Sequence, residues 1–198
     1  MAQCYEEVNR IPEALLLFEF AAAGMERMRF QSQNAKTIIS AAINAYEKNG
    51  QLDKAEAWRR KWLAVVKDKG VPSSSDYGES LSGLGANLMR QHRWVEAEKT
   101  LRESLSIREK EGAEKWSTSN TRGLLGQALL GQKKYADAEP LLLKAYESLK
   151  AQESSLPAYA KAAIPETLNR LVELYTAWDK KDMAEKYRLE REKYPQKK

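Results

Sequence analysis

The chain is 198 residues long, with a formal net charge of +5, 42% hydrophobic and 31% charged residues, ten Gly, six Pro, one His and one Cys. That length admits one or two ordinary domains with a real core, and the balance suits a soluble, helix-rich globular chain and not a disordered one. His92 and Cys4 alone cannot assemble a zinc or iron–sulfur ligand set, and any Ser-His-Asp or Cys-His site would have to recruit His92.

Cys4 forms no internal disulfide, so the fold does not depend on an oxidising compartment. The apolar stretch Ala14 to Phe18 stops at Glu19, far short of the roughly 20 apolar residues of a spanning helix. The opening MAQCYEEVNR carries two acids before its first Arg, the wrong charge for a signal peptide. A cytoplasmic setting is expected.

Five alanines close similar turns: Ala14 in RIPEALLLF, Ala55 in QLDKAEAWR, Ala97 in RWVEAEKTL, Ala138 in KYADAEPLL and Ala184 in KKDMAEKYR, separated by 41, 42, 41 and 46 residues. Nine residues before each stand Tyr5, Tyr46, Leu88, Leu129 and Tyr175; thirteen before stand Met1, Ala42, Leu84, Leu125 and Leu171. Three before stand Ile11, Leu52, Trp94 and Tyr135, with Lys181 as the exception. Apolar positions recur at three and four residues, so each unit reads as a helix, a short turn and a second helix.

In chain order, residues 1–34 form a partial first unit whose opening helix, holding Cys4, is cut short; Pro12 starts its second helix. This beginning inside a helix reads as a segment of something longer. Residues 35–76 are the second unit, with the turn KNGQ and the loop VPSSSD, in which Ser73, Ser74 and Ser75 are linker residues. Residues 77–117 are the third, with His92 in the turn RQHR and the loop EGAEKW. Residues 118–157 are the fourth, with the turn GQKK; the loop ESSLPAY that follows lengthens the last spacing. Residues 158–194 are the fifth, with the turn DKKD, and 195–198 are a basic tail. Residues 180–198 hold eight Lys or Arg against four acids, so the basicity is mostly a property of this end. Gly85 and Gly126, twelve before their alanines, would cost about 1 kcal/mol each on a free helix, and are expected to let a partner helix approach closely.

The units resemble the tetratricopeptide repeat family in its kinesin-light-chain variant, most strongly in LGANLMRQHRWVEAEKTLRESLSIREKEG and LLGQALLGQKKYADAEPLLLKAYESLK. FEFAAAGMERMRFQSQNA, AEAWRRKWLAVVK and the stretch from Lys115 to Lys150 are also similar to the C-terminal repeat region of planctomycete-type bacterial Ser/Thr protein kinases. The resemblance implies an all-α fold, a right-handed superhelical solenoid of antiparallel helix pairs with a period of about 42 residues. No Gly-rich strand loop, HRD-like or DFG-like stretch is present, so any kinase activity would belong to a domain absent from this chain. One departure is Arg122, where the repeat is ordinarily bulky; Trp116 is expected to cover that gap.

The chemistry-bearing residues read as structural. Gly83 with Gly85, and Gly123 with Gly126 and Gly131, lie inside helical repeats without the strand a phosphate loop needs. His92 reads as a solvated turn residue with no nucleophile fixed beside it. Trp58 and Trp62, one turn apart beside Arg59, Arg60 and Lys61, read as packing between repeats with snorkelling cations; base stacking is the alternative. Glu96 with Glu98, and Glu190 with Glu192, mix with Lys and Arg on solvated helices. No enzyme activity, cofactor or metal is expected.

What remains is the surface of the array. In the family, positions two, five, nine and twelve of each first helix face a concave groove; here the resemblance puts there Gln3 and Glu6; Thr37, Ser40, Asn44 and Glu47; Glu79, Ser82, Ala86 and Met89; Asn120, Gly123, Gln127 and Leu130; and Glu166, Asn169, Glu173 and Thr176. None is basic, five are carboxylates and five are amides, which suits an extended peptide of neutral-to-basic character and not an acidic or phosphorylated ligand. Arg90, one residue beyond the mapped set, could tilt inward. The expected function is a non-catalytic protein-interaction scaffold that is a fragment of a larger protein. The alternatives are a regulatory segment of a bacterial Ser/Thr kinase, with a kinase domain of the same parent chain as partner, and, more distantly, nucleic-acid binding through the basic tail. No membrane partner is expected, and self-association is expected through the Leu15 to Phe20 end.

Overall fold

The computed structural model describes residues 11–68, 75–110 and 115–194. Cys4, Gln3, Glu6, Ser73, Ser74 and the tail 195–198 lie outside them. The described residues form helices joined by turns: α1 Ile11–Arg27, α2 Ala35–Lys48, α3 Leu52–Asp68, α4 Ser75–Arg90, α5 Trp94–Lys110, α6 Trp116–Gly131, α7 Tyr135–Ala151, α8 Ala163–Ala177 and α9 Lys181–Glu192. The chain divides into two compact units, Met1–Pro72 and Ser73–Lys198.

In the first unit α2 and α3 are an antiparallel pair, with α1 packed on α2. Their small and large side chains alternate to fill a common core: Ala14, Phe18 and Ala22 from α1, Ile39, Ala42 and Tyr46 from α2, Ala55 and Trp58 from α3. Trp62 meets Phe30 edge-on at 6.1 Å, and Lys61 lies 4.6 Å above the Trp58 ring. Both tryptophans are thus packing residues, with a cation laid over one of them.

The second unit stacks three such pairs, α4 with α5, α6 with α7 and α8 with α9. Leu84, Leu88, Leu101, Leu125, Leu129, Leu142, Leu149, Leu168 and Leu171 are buried along its spine. Gly85 and Gly126 are where the paired helices cross: a Cβ added at either would stand 2.6 Å from the Cγ of Leu101 or Leu142. The glycines are therefore demanded by close approach, as the sequence suggested.

Each turn between paired helices closes in the same way. Gly50, His92, Lys133 and Asp179 adopt the left-handed conformation, with φ of 72°, 58°, 61° and 55°. The next backbone N–H then donates back to the carbonyl five residues earlier, Gln51 to Tyr46, Arg93 to Leu88, Lys134 to Leu129 and Lys180 to Tyr175, at 2.9 to 3.0 Å. This is the Schellman closure of a helix end. The only histidine of the chain is accordingly an exposed turn residue whose ring meets Trp94 edge-on at 5.3 Å.

Neighbouring pairs in the second unit are held by contacts that repeat in register. The Trp94 indole lies over Gly131, and Tyr135 packs against Trp178 at 5.9 Å. Glu98 accepts from Lys134 at 2.9 Å and from Gln132 at 2.8 Å, and one repeat later Glu139 accepts from Lys180 at 3.2 Å. Burial alone would raise the Glu98 carboxyl, but hydrogen bonds from Lys134, Gln132 and Arg102 outweigh it and bring it down to about 2.

Two expectations change. The position of Arg122 is filled by the arginine itself. Its own side chain is buried and reaches Glu109 at 2.9 Å, while Trp116 meets Tyr159, at 5.6 Å, from the insertion before α8. Ser75 is the first residue of α4 and not part of the linker. The insertion is ordered as two 3-10 turns, Glu153–Ser155 and Ala158–Ala160, anchored by buried Leu156 and Ala160.

Candidate functional site

The candidate wall is the face that each first helix presents at its second, fifth, ninth and twelfth positions. In the first unit this is α2. Thr37, Ser40 and Asn44 are exposed and line a cavity of about 410 Å³ with Ala41 and Ala45, above buried Phe18. Lys36 and Lys48, at the two ends of α2, border the same cavity. The absence of bases holds for the mapped positions, yet this part of the wall is flanked by cations. Glu47 does not line the cavity; it is half-buried and accepts from Arg59 Nε at 2.8 Å.

In the second unit the wall runs over α4, α6 and α8. Glu79, Glu166, Asn169, Glu173 and Thr176 are exposed, Asn120, Gln127, Ala86 and Leu130 are half-buried, and Met89 and Gly123 are buried. Met89 therefore packs inward. Ser82 is half-buried as well, and its hydroxyl is engaged with those of Ser104 and Thr121, each at 2.8 Å, so it joins α4 to α5 and α6.

Beneath the wall lies a cation outside the mapped positions. Arg170, on α8, is 8% exposed; its Nε donates to Gln127 Oε1 on α6 at 2.9 Å, and its Nη2 is 3.7 Å from Glu166. Burial lowers the guanidinium pKa, and the charges of Glu166 and Glu173 oppose that shift. Its Nη1 is buried without a hydrogen-bond partner, 3.3 Å from where a Cβ on Gly123 would be. Gly123 thus makes room for the guanidinium. At the preceding residue of α8, Asn169 Oδ1 accepts from Arg191 Nε at 2.8 Å.

A signal for Arg170 was present in the sequence. Fourteen residues before the marker alanines stand Ala41, Gly83 and Leu124 in earlier units, and Arg170 in the last. A long cation in a register otherwise small or apolar must either leave the packed position or find acceptors there. Gln127 and Glu166 are those acceptors. Arg122 has the same signature, standing where Ile39, Leu81 and Leu168 stand in other units.

Among the described residues no three His, Cys, Asp or Glu side chains gather as a metal site, and no helix is long and apolar enough to cross a membrane. Comparison with known proteins agrees with the repeat pattern. Residues 76–151 match the tetratricopeptide repeat family model. No curated protein matches the chain. Among solved structures, the chain is similar to the crystal structure of Podosopora anserina putative kinesin light chain nearly identical TPR-like repeats, at 19% identity with a TM-score of 0.72, over 96% of this chain and 89% of that one. It is similar also to BtubC (BKLC) from P. vanneervenii, at 17% identity with a TM-score of 0.76, over 100% of this chain and 81% of that one. At these identities the likeness is one of fold.

Proposed function

We propose that this chain, built of tetratricopeptide repeats matched over residues 76–151 and continued in the same helix-pair register on either side, is a non-catalytic scaffold whose wall of first helices binds an extended peptide or protein segment. A stack of helix pairs offers a long surface whose side chains are held by rigid elements, which suits recognition more than bond-making. The observation that carries the reading is the make-up of the wall over α4, α6 and α8. Glu79, Glu166 and Glu173 are exposed, interspersed with the amides Asn120, Gln127 and Asn169; of the two cations bonded to these amides, Arg170 is buried beneath them and Arg191, half-buried, is engaged with Asn169. Amides meet a peptide main chain and carboxylates attract cationic side chains, so the preferred ligand is neutral to basic.

Binding of charge-varied pools of unstructured peptides, read by fluorescence anisotropy, tests this. Neutral and basic pools should bind more tightly than acidic ones, and added salt should weaken the basic pool most. A preference for the acidic pool would overturn the reading for this wall. Such a preference confined to the α2 cavity, abolished by Lys36→Ala with Lys48→Ala, would locate the acidic ligand in the first unit.

A second reading rests on α1. Phe20 is 72% exposed and Leu16, one turn before it, 66%. Six residues after the marker alanine, where Phe20 stands, Lys61 bonds Glu26 of the preceding helix pair at 2.7 Å, and Glu190 takes hydrogen bonds from Tyr146 and Lys150 of α7. The register position that in these two units meets the preceding second helix is apolar and exposed on α1. We propose that a second copy of the chain covers it. Light scattering should show a mass rising with concentration, abolished by Leu16→Lys with Phe20→Lys; a concentration-independent monomer would refute it.

A further inference from the structure

We infer that Gln127 and Asn169 act as donor-only contacts of the wall, each presenting its side-chain NH2 group to a main-chain carbonyl oxygen of the bound segment, with Arg170 and Arg191 as the positioning residues that enforce this orientation. The inference rests on the peptide-binding reading above and deepens it. A free side-chain amide can turn either its oxygen or its nitrogen outward, so it selects for neither partner. Here the choice is made from beneath. A guanidinium has donors and no acceptor, so the atom that faces Arg170 Nε at 2.9 Å must be Gln127 Oε1, and the atom that faces Arg191 Nε at 2.8 Å must be Asn169 Oδ1.

Two further features support the assignment. Arg170 is 8% exposed, and its Nη1 is buried with no partner, so the guanidinium cannot swing away to release Gln127 without exchanging one unsatisfied donor for another. Arg191 is held at its other end, where Nη1 donates to the Tyr194 carbonyl. Neither amide nitrogen has a hydrogen-bond partner among the described residues, and Gln127 is half-exposed and Asn169 exposed. Engaging the amide oxygen with a cation also polarises the amide, which makes the NH2 a stronger donor. The ligand chemistry that matches is a chain of carbonyl acceptors, the peptide main chain, flanked by basic or neutral side chains that tolerate Glu166 and Glu173.

The device separates binding from folding, because Gln127→Glu and Asn169→Asp keep the oxygen that each arginine needs while replacing the outward NH2 by an acceptor. The probe is a pool of uncharged 12-residue peptides with blocked termini, so that the added carboxylate does not act through ligand charge. Each variant should bind the pool at least fivefold more weakly than the unmodified chain, the range of a lost neutral hydrogen bond, with its melting midpoint kept or raised. Equal binding by both variants would overturn the inference and leave the peptide reading standing. Weakened binding that tracks a lowered melting midpoint in both would overturn it too, since the amides would then be structural. No binding by the unmodified chain to neutral or basic pools would overturn the peptide reading itself, and this inference with it.

Discussion

Replacing Gly126 by Ala sets two well-measured effects against each other. Alanine is favoured over glycine in a helix interior by about 1 kcal/mol. The new methyl carbon, however, would stand 2.6 Å from Leu142 Cγ and 2.7 Å from its Cδ2, whereas unstrained carbon contacts lie at about 3.5–4.0 Å. Leu142 is fully buried and its Cγ is the branch point of the side chain, so relief requires the helices to part by close to 1 Å or the leucine to leave its rotamer. Overpacking of this kind costs about 1–3 kcal/mol, so the net effect is a loss of up to about 2 kcal/mol. Gly24 supplies the internal standard: it lies within α1 with nothing inside 4 Å of its missing Cβ, and Gly24→Ala should gain about 0.5–1 kcal/mol. Urea unfolding followed by circular dichroism measures both, provided the m-value is unchanged. Leu142→Ala alone should cost about 2–5 kcal/mol, and less in the presence of Gly126→Ala, because the added methyl enters the vacated space. If Gly126→Ala stabilises as much as Gly24→Ala does, the close helix crossing is wrong.

Three other outcomes follow from the described contacts. Lys133, exposed with φ 61°, holds the place Gly50 holds in the first unit, so Lys133→Gly should stabilise by about 0.5–1 kcal/mol in the same unfolding assay, while Gly50→Ala destabilises. Arg122→Leu, which restores the residue type of Leu81 and Leu168, should be neutral or stabilising because its partner Glu109 is half exposed and can return to water; Arg122→Ala should cost about 3 kcal/mol through the cavity. Glu98 and Glu190 are both held down to about 2, the latter chiefly by Lys150 and then Lys193 and Tyr146. A carboxyl depressed in the folded state contributes stability fully present above the ordinary carboxylate pKa. It is lost as pH falls towards 2, so the unfolding free energy should drop between about pH 4.5 and 2, by on the order of 1 kcal/mol per carboxylate after solvent screening, with melting midpoints falling in parallel, and the drop should shrink in Glu98→Gln.

The helix pairs were legible because their cause is local and periodic: a small residue at a crossing, an aromatic or aliphatic three before the alanine, and a polar turn. Gly85 and Gly126 could be assigned a contact from the sequence because the alanine register places them opposite a second helix. The wall was harder to read. Its positions follow from the register, but what each side chain does depends on a residue about 40 positions away: Ser82 is engaged by Thr121 on the next first helix, and Gln127 by Arg170. Arg170 and Arg122 escaped a reading that assigns charge to the surface, because a guanidinium can be buried where a neighbouring repeat supplies its acceptors. Met89 was assigned to the wall by register but is buried.

The contacts between pairs in the second unit bear on how such a chain can lengthen. Because Glu98 takes its donor from Lys134 and Glu139 takes an equivalent one from Lys180, each second helix carries an acceptor for the pair that follows and each turn carries a donor for the pair that precedes. A block cut from residue 94 to residue 134 and inserted in tandem would therefore arrive with both halves of the joint: its own Trp94 to lie over a Gly131, and its own Glu98 to meet a Lys134. Growth by whole-unit duplication needs no compensating change at the seam, and extra residues are tolerated in the loop between pairs, as before α8, where Glu139 still meets Lys180.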